Sequence, residues 1–402
     1  MERYVAVLGG NELACPAIEH LERLGYRTLV LDRNTDAPAR RVASEFVPVD
    51  FSDSSATVAA VAPFELRGVL ALNDFGVISA AQLAESRGLP GYTQRAAHRL
   101  TNKIAMKNCW RASRLPIPNY TWMSTCELLA GGQPSWDHYP CIAKPAFSGG
   151  GSRGVFLAES LDHLRRGVRD TQSDYRVGQV LIEEYVIGSE HTVEVLVVAG
   201  VPHVLSISDK LNYPRSVAIV QRLTFPGPRG HHYRAQIEGL VSSACTSLEL
   251  DCGCAHFEVL VRDGSVLLLE VGGRPGGGPN FHPICRLSTG FDYPLELARV
   301  LTGESPTLQR HVDAVCLGWH YFSLPQGRLT RIIGFEGVAQ DPSVVDARLE
   351  VEAGEVVADP ENDLRRPGYI LVQAGDYQQL EERVHELQSR IQFIVEEDHE
   401  TP

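Results

Sequence analysis

Two glutamates and an arginine in one short segment are the residues of this chain best suited to metal and anion chemistry. The segment 257–278 reads FEVLVRDGSVLLLEVGGRPGGG, with Glu258 and Glu270 in two apolar runs and Arg274 in a glycine-rich loop. A carboxylate inside a buried strand needs a partner, because an isolated buried charge is costly. Mg2+ often binds one or two carboxylates and fills its other positions with phosphates and water. The segment therefore indicates a metal–nucleotide site with Arg274 beside the anion.

The turn between the two runs decides whether Glu258 and Glu270 share one face of a hairpin. A two-residue loop at the Asp-Gly pair 263–264 would place Glu258 opposite Leu269 and point Glu270 to the other face. A loop longer by one residue, with its glycine left-handed as a bulge, puts both glutamates on one face and His256 opposite Glu270. We predict this three-residue loop. The alternative is an ordinary hairpin with two solvent-facing glutamates.

Lysines and glycines upstream suit the binding of phosphate groups. Lys103 and Lys107 lie one turn apart on a predicted helix, and Lys144 ends a strand that leads into the glycine-rich loop 148–154. Backbone amides of such a loop can approach phosphate oxygens, and a lysine adds a point charge. No Gly-Lys-Ser/Thr follows the glycines, which excludes a Walker loop. A solvated helix face and a mobile surface loop are the alternatives.

A link between two predicted strands can hold the rest of a nucleotide. The run QVLIEEYVIGSEHTVEVLVV places Glu183, Glu184 and Glu190 across that link. Backbone groups of the link could meet a purine edge, and a carboxylate could accept hydrogen bonds from ribose hydroxyls. Surface acids are the alternative.

Three further features border the expected substrate. The segment 209–232 mixes basic residues, including Lys210, with Pro and Gly, as a loop over a site does; an ordinary connection is the alternative. His256 either faces the metal or an incoming amine, or is a hydrogen-bonded structural histidine. Backbone amides that could reach a substrate carboxylate, or serve only a tight turn, belong to Gly276, Gly277 and Gly278.

Composition limits the classes of protein that fit. A chain of 402 residues predicts two or three domains, and a net charge of -13 argues against a nucleic-acid partner. Nine cysteines show only one close pair, Cys252 and Cys254, so we expect reduced thiols and no zinc site. Without a transmembrane run or a signal peptide, the sequence predicts a cytoplasmic protein that does not bind membranes.

The first hundred residues alternate strand and helix, which predicts a doubly wound parallel sheet. Gly9 and Gly10 end the first strand, where a dinucleotide fold would bind phosphate. Glu12 and Ala14 stand where later glycines of that fingerprint would be. We therefore expect a substrate-side or purely structural turn.

The ordered set of lysines, glycine-rich loop, EEYVIGSE link, paired glutamates and arginine resembles an ATP-grasp ligase over nearly the whole chain. The resemblance implies a mixed α/β and α+β fold. A Rossmann-like domain (1–100) would precede an ATP-grasp domain (101–311) with a lid at about 121–186. The short strands and closing helix of 312–402 are similar to the extra module of biotin-carboxylase-like and L-amino-acid-ligase members.

The resemblance also implies roles for individual residues. Metal ligands would be Glu258 and Glu270, and Arg274 would be the catalytic residue that steadies phosphate and the reacting carboxylate. The substrate would lie against His256 and the glycines 276–278. The ATP-binding residues would be Lys103, Lys144, Ser152, Gly154, Glu183, Glu184, Tyr185, Val186 and Glu190. The family commonly has asparagine as a further metal ligand where this chain has Gly272, which puts a second magnesium in question.

The implied activity is ATP-dependent amide formation between a small carboxylate and an amine, such as two amino acids in small-peptide or natural-product synthesis. Transfer of the γ-phosphoryl group would give an acyl phosphate, with ATP and Mg2+ or Mn2+ required. The sequence leaves the oligomeric state open, with a homodimer as one candidate assembly. Two alternatives stay open: a carboxylating or formate-using enzyme of nucleotide metabolism, and an ATP-binding protein without turnover.

Overall fold

The computed structural model describes residues 2–147, 149–171, 178–309 and 314–396. Ser148, the first residue of the expected glycine-rich loop, lies outside the described residues. None of the helices within these ranges combines the length and apolar character needed to cross a bilayer. All nine cysteines are free thiols.

The N-terminal part is the expected parallel sheet. Strands β1 (Arg3–Leu8), β2 (Thr28–Asp32), β3 (Glu45–Pro48) and β4 (Glu65–Ala71) pair in the order β3-β2-β1-β4. The helices beside them are α1 (Cys15–Arg23), α2 (Ser54–Ala60) and α3 (Asp74–Arg87). Asn73 caps α3 by accepting from the Gly76 N–H, so α3 begins directly at the carboxyl end of β4.

Two helices connect this sheet to the rest of the chain, α4 (Gln94–Thr101) and α5 (Lys103–Ala112). The side chain of Asn102 caps α5 by accepting from the N–H groups of Ile104 and Ala105. Lys103 is therefore the first residue of α5, and Lys107 follows one turn later. Both side chains are buried, so the solvated helix face considered for them is wrong.

A small antiparallel sheet follows, with strands β5 (Tyr120–Ser124), β6 (Cys141–Pro145), β7 (Phe156–Ala158) and β8 (Gln179–Glu184) in the order β5-β8-β6-β7. Helices α6 (Thr125–Leu129) and α7 (Leu161–Asp170) flank it. Its apolar cluster includes Leu128, Leu164 and Ile182. These elements fall in the segment predicted as a lid, and Lys144 lies on β6.

Among the described residues, the central sheet has nine strands. Those from the middle of the chain are β9 (Ser189–Val198), β10 (Val201–Ile207), β11 (Asp209–Asn212), β12 (Val220–Phe225), β13 (Gly253–Arg262) and β14 (Ser265–Gly272). Helices α8 (Pro228–His232), α9 (Arg234–Leu248), α10 (Ile284–Thr289) and α11 (Tyr293–Leu301) accompany them. A core that includes Trp110, Val241 and Phe257 packs α5 and α9 against this sheet.

The C-terminal region contributes three strands to the same sheet. It contains β15 (Cys316–Tyr321), β16 (Gly327–Ile333), α12 (Phe335–Ala339), β17 (Val344–Leu349), β18 (Val356–Val357), β19 (Gly368–Ala374), α13 (Tyr377–Ser389) and β20 (Gln392–Glu396). The sheet runs β14-β13-β9-β11-β12-β15-β19-β17, with β10 beside β9. A separate small sheet has the order β18-β16-β20. The expected α/β and α+β fold class is confirmed.

The turn between β13 and β14 differs from the predicted one. Arg262 pairs with Ser265, so the loop has two residues, and both Asp263 (φ 49°) and Gly264 (φ 78°) are left-handed. This conformation is the type I′ turn that suits the twist of a hairpin. The predicted three-residue loop is wrong.

A β-bulge beyond the turn brings the two glutamates together. Val259 pairs with Leu268, whereas Glu258 pairs with Glu270, so Leu269 is an extra residue in β14. A bulge changes the register by one residue and thereby reverses the faces of the side chains beyond it. The glutamates lie directly opposite each other as required, but His256 pairs with Gly272 instead of Glu270.

Replacing Gly264 tests whether the left-handed turn contributes to stability. A Cβ at Gly264 would meet no atom within 4 Å, so Gly264→Ala should act only through the backbone. We expect a loss of about 1 kcal/mol in the free energy of unfolding, measured by urea titration. Asp263→Asn is the control, because asparagine tolerates this conformation. Equal stability of Gly264→Ala and the parent protein would contradict the assignment.

Candidate functional site

One cavity of about 360 Å3 gathers residues from all parts of the fold. Its lining includes Asp74 after β4, Lys103 of α5, the glycine-rich loop, the link after β8, the β13–β14 hairpin and the C-terminal region. Of the residues predicted for the site, all line this cavity except Gly154. The volume is within the range of pockets that hold small ligands.

A buried carboxylate with two lysines lies at one side of the cavity. Glu183 and Lys107 form a buried ion pair, and Lys144 Nζ lies 2.8 Å from Glu183 Oε2. Burial by itself raises the pKa of Glu183, but the two lysine charges outweigh it and hold the pKa below its usual value. Burial lowers the pKa of Lys107 despite the attraction of Glu183. The group thus carries an excess positive charge toward the cavity.

A second lysine–carboxylate group joins β9, which follows the link after β8, to the β13–β14 hairpin. Lys210 Nζ lies 2.9 Å from Glu190 Oε2 and 2.7 Å from Glu258 Oε2. Burial would raise the pKa of Glu258, yet Lys210 brings it down to about 2. On the neighbouring strand β14, Glu270 Oε1 lies 3.1 Å from Nζ of Lys103, which belongs to α5. Each carboxylate of the hairpin is therefore in contact with a lysine ammonium group.

The donor set fits a single divalent cation between Glu258 and Glu270. These carboxylates are opposite one another and face the same cavity. Within the part of the chain that the structure describes, no group of three or more His, Cys, Asp or Glu side chains could hold a metal ion. Two carboxylates are enough for Mg2+ when phosphates and water supply its other ligands.

The link after β8 forms another part of the lining. Tyr185 is 38% exposed, whereas Val186 is buried. The Glu184 side chain accepts a hydrogen bond of 2.8 Å from Asn119 Nδ2, and its backbone N–H donates to the Asn119 carbonyl. These contacts hold the link beside the cavity without using the Glu183 carboxylate.

The described part of the glycine-rich loop has an unusual backbone. Every residue from 149 to 154 except Arg153 has a positive φ, which explains the glycines. The single O–H of Ser152 lies within hydrogen-bonding distance of two acceptors, Asp363 Oδ2 at 2.8 Å and the Ala218 carbonyl oxygen at 3.1 Å. The serine hydroxyl is thus engaged by the C-terminal region. The expected roles of Ser152 and Gly154 toward a nucleotide therefore rest on the backbone.

Arg274 is held by a residue of the N-terminal part. Its Nε donates to Asp74 Oδ2 at 2.9 Å, and both side chains are largely buried. A Cβ built on Gly272 would lie only 3.0 Å from Asp74 Oδ1. The Asp74 carboxylate thus lies beside Gly272, the position at which the resemblance would place an asparagine.

His256 and the glycines after Arg274 share a buried acceptor, Glu194. Its carboxylate accepts from His256 Nδ1 at 2.6 Å, from the Gly276 N–H at 3.0 Å and from Asn280 Nδ2 at 2.6 Å. The Gly276 amide is therefore used inside the protein instead of pointing to a substrate carboxylate. His256 is both hydrogen-bonded and part of the cavity lining.

Several residues of the cavity were not predicted from the sequence. Asp74 follows β4, and ligands of parallel sheets bind at the carboxyl ends of the strands. Asp74 could therefore have been predicted from its position in the sequence. Glu194 is a charge in an apolar strand, as Glu258 and Glu270 are, and the same burial argument applies to it. No local pattern marked the C-terminal lining residues Trp319, Tyr321, Asp363, Leu364 and Arg366.

Family models match three parts of the chain. The ATP-grasp N-terminal domain matches residues 18–91, the ATP-grasp domain matches residues 137–281, and the L-amino acid ligase C-terminal domain 2 matches residues 320–396. These matches agree with the family expected from the sequence.

Curated proteins and solved structures are similar to this chain at low sequence identity. The uncharacterized protein y4rH of Sinorhizobium fredii is 25% identical over 326 residues, 78% of this chain and 62% of that protein. The formate-dependent phosphoribosylglycinamide formyltransferase of Bordetella pertussis is 26% identical over 45% of this chain and 46% of its own length. The crystal structure of L-amino acid ligase from Bacillus licheniformis has a TM-score of 0.82 and 23% identity, covering 98% of this chain and 99% of that one.

The contribution of the Glu183 group can be tested by neutralising its carboxylate. Glu183→Gln would leave the ammonium groups of Lys107 and Lys144 buried without a counter-charge. We expect the free energy of unfolding to fall by about 3–5 kcal/mol in urea titrations. The control is Glu184→Gln, one residue along, whose partly exposed side chain should contribute less than about 1 kcal/mol. Similar losses for both variants would contradict the role of the buried pair.

Proposed function

The chain is a member of the ATP-grasp superfamily, and on that premise we propose that it is an ATP-dependent carboxylate–amine ligase. Its substrates would be two amino acids, joined through an acyl phosphate with release of ADP and phosphate. The matched L-amino acid ligase C-terminal domain 2 supports this choice of substrates. The chain spans 62% of the length of the Sinorhizobium fredii relative and 46% of the length of the Bordetella pertussis relative.

The observation that carries the proposal is the meeting of cationic and acidic groups at one cavity. Lys103, Lys144 and Arg274 supply positive charge for phosphates, and Glu258 and Glu270 supply ligands for one divalent cation. Phosphoryl transfer is catalysed mainly by positioning and charge neutralisation, which these groups provide.

We assign the nucleotide to the side of the cavity formed by the link after β8. The link of Glu184, Tyr185 and Val186 would meet the adenine edge, and Glu190 would accept hydrogen bonds from the ribose hydroxyls. Glu190 is already positioned by Lys210. Lys103 and Lys144 would bind the phosphates, with each ammonium group leaving its carboxylate partner to do so.

Magnesium would be held by Glu258 and Glu270 and would neutralise phosphate charge during transfer. Arg274 would hold the reacting carboxylate and the transferred group, with Asp74 fixing its guanidinium. The glycine-rich loop would cover the site and keep water from the acyl phosphate. No side-chain nucleophile is required, because the substrate carboxylate itself attacks.

His256 would receive the proton of the attacking amine. Its Nδ1 lies 2.6 Å from the Glu194 carboxylate, which can only accept when ionised. With Nδ1 donating, Nε2 is the acceptor atom. A histidine oriented by a carboxylate is a common arrangement for moving a proton near neutral pH.

A formate-using activity is the second candidate, because the formyltransferase from Bordetella pertussis matches part of this chain. A screen of purified protein with ATP and Mg2+ separates the two, with phosphate release measured for pairs of amino acids and for formate or bicarbonate with a ribonucleotide amine. Release with amino-acid pairs supports the proposal. Release only with formate or bicarbonate would replace it, and ATP binding without release in any mixture would refute both.

Glu270→Gln tests the metal assignment. We expect substrate-dependent ADP formation to fall by about 100-fold or more, because one of two protein ligands is lost. Glu238→Gln, an exposed glutamate on α9, is the control and should keep full activity. Unchanged turnover in Glu270→Gln would overturn the assignment.

Arg274→Ala separates catalysis from nucleotide binding. We expect ATP affinity, measured by calorimetry, to stay within about threefold while turnover falls by about 100-fold or more. Arg262→Ala, which removes a more exposed arginine from the same hairpin, should leave both unchanged. Loss of the folded state in Arg274→Ala, seen by circular dichroism, would instead mark a structural role through Asp74.

A further inference from the structure

The wall of the cavity formed by the C-terminal region has no part in the chemistry described above. Trp319 and Tyr321 lie two residues apart on β15, so their side chains are on one face of the sheet. Arg366 and Leu364 come from the segment before β19. All four line the cavity that contains Glu258 and Glu270.

Arg366 is held rigidly at this wall. Its guanidinium carbon lies 3.5 Å from the centre of the Tyr321 ring, and its side chain is 15% exposed. Nε donates to the Asp363 carbonyl at 2.7 Å, and Nη1 lies 3.1 Å from Asp363 Oδ1 and 3.3 Å from the Val220 carbonyl. Within the part of the chain described here, no group accepts from Nη2. The guanidinium is thus oriented in advance and keeps donors for a ligand.

Trp319 adds a buried donor that has no partner among the described residues. The residue is 94% buried, because its exposed fraction is 6%. Its Nε1 atom is buried without a hydrogen-bond partner among the described residues. A buried donor without a partner is costly, and native structures usually satisfy such groups with protein, water or a ligand. The ring packs 5.1 Å from that of Tyr321.

The surroundings suit a ligand with a single negative charge. Asp363 already offsets part of the Arg366 charge, and the neighbouring lining residues Leu223, Trp319 and Tyr321 are mainly apolar. A planar carboxylate can accept from the N–H groups of Nη2, which Arg366 keeps, and from one additional N–H donor. A dianionic phosphate would need more positive charge than this wall provides.

We propose that Arg366 and Trp319 bind the free α-carboxylate of the amino acid whose amine attacks the acyl phosphate. This inference rests on the proposed function and names its second substrate as an amino acid with an unblocked carboxyl group. The carboxylate bound at Arg366 would position the second amino acid and would not be phosphorylated. The carboxylate to be activated would lie beside Arg274 and the hairpin glutamates.

The same wall adjoins the glycine-rich loop. The Asp363 N–H donates to the Gly151 carbonyl at 3.0 Å, and Asp363 Oδ2 accepts from Ser152 Oγ. Asp363 therefore contacts both Arg366 and the loop expected to cover the phosphates. A second substrate at Arg366 would be placed next to that loop.

The test compares amino acids with their C-terminal amides as amine donors. Pairs that support phosphate release are identified first, and kcat/KM is then measured for the donor and for its amide. We expect the parent protein to favour the free acid by about 10- to 100-fold, the range for a hydrogen bond to a charged group. Arg366→Met should remove this preference by raising KM for the acid, with the amide changed less than about twofold.

Two further variants make the result specific. Trp319→Phe keeps an aromatic ring and removes only the N–H, so it should reduce the preference in the same direction by a smaller factor. It also provides the test if Arg366→Met does not fold. Arg222→Met on β12, which removes a partly exposed arginine paired with Glu381, is the control and should keep the parent's preference.

The outcomes separate this inference from the proposed function. Equal losses for acid and amide, or a parent protein that does not prefer the acid, would overturn the carboxylate site while leaving the ligase activity standing. An Arg366→Met variant that weakens only O-phosphoethanolamine as donor would identify a phosphate site instead and also refute the inference. Absence of phosphate release with every amino-acid pair would refute the proposed function and the inference with it.

Discussion

The need to neutralise carboxylates on the strands around the cavity organises the site of this protein. Glu258 and Glu190 share Lys210, and Glu183 contacts Lys107 of α5. Each acid lies on a strand, and each cation comes from a different element. Since an unpaired charge in such surroundings costs several kcal/mol, about the margin of stability of a domain, these pairs bind the parts of the fold together. Stability and the arrangement of the cavity therefore have one cause.

The same pairs prepare the cavity for its proposed ligands. Lys103 and Lys144 now neutralise Glu270 and Glu183, and phosphates would compete for the same ammonium groups. Under the proposed function, a divalent cation would replace a lysine as the partner of Glu270. Binding would thus exchange one set of neutralised charges for another, so that neither state leaves a buried charge without a partner.

The β13–β14 hairpin shows which part of a strand register can be predicted from the sequence pattern. The requirement that Glu258 and Glu270 share a face came from chemistry and holds, but the structure meets it with a two-residue turn and a bulge at Leu269. Alternation of apolar residues does not reveal where an extra residue enters a strand. The pairing of Lys107 with Glu183 was missed for a related reason. The burial of Lys107 depends on Glu183, which is distant in sequence and adjacent only once β8 packs beside α5.

The sequence by itself determined the fold class and the residue types that meet at the cavity, because buried strands, glycine-rich turns and charged side chains within apolar runs leave local signatures. The family followed from the resemblance of the ordered motifs to ATP-grasp ligases. The tertiary structure alone decided which charges pair. It placed Asp74 against Arg274 and beside Gly272, and it brought Arg366 from the C-terminal region into the cavity. These contacts join residues far apart in the chain, and a pairing of that kind depends on packing geometry that no local pattern encodes.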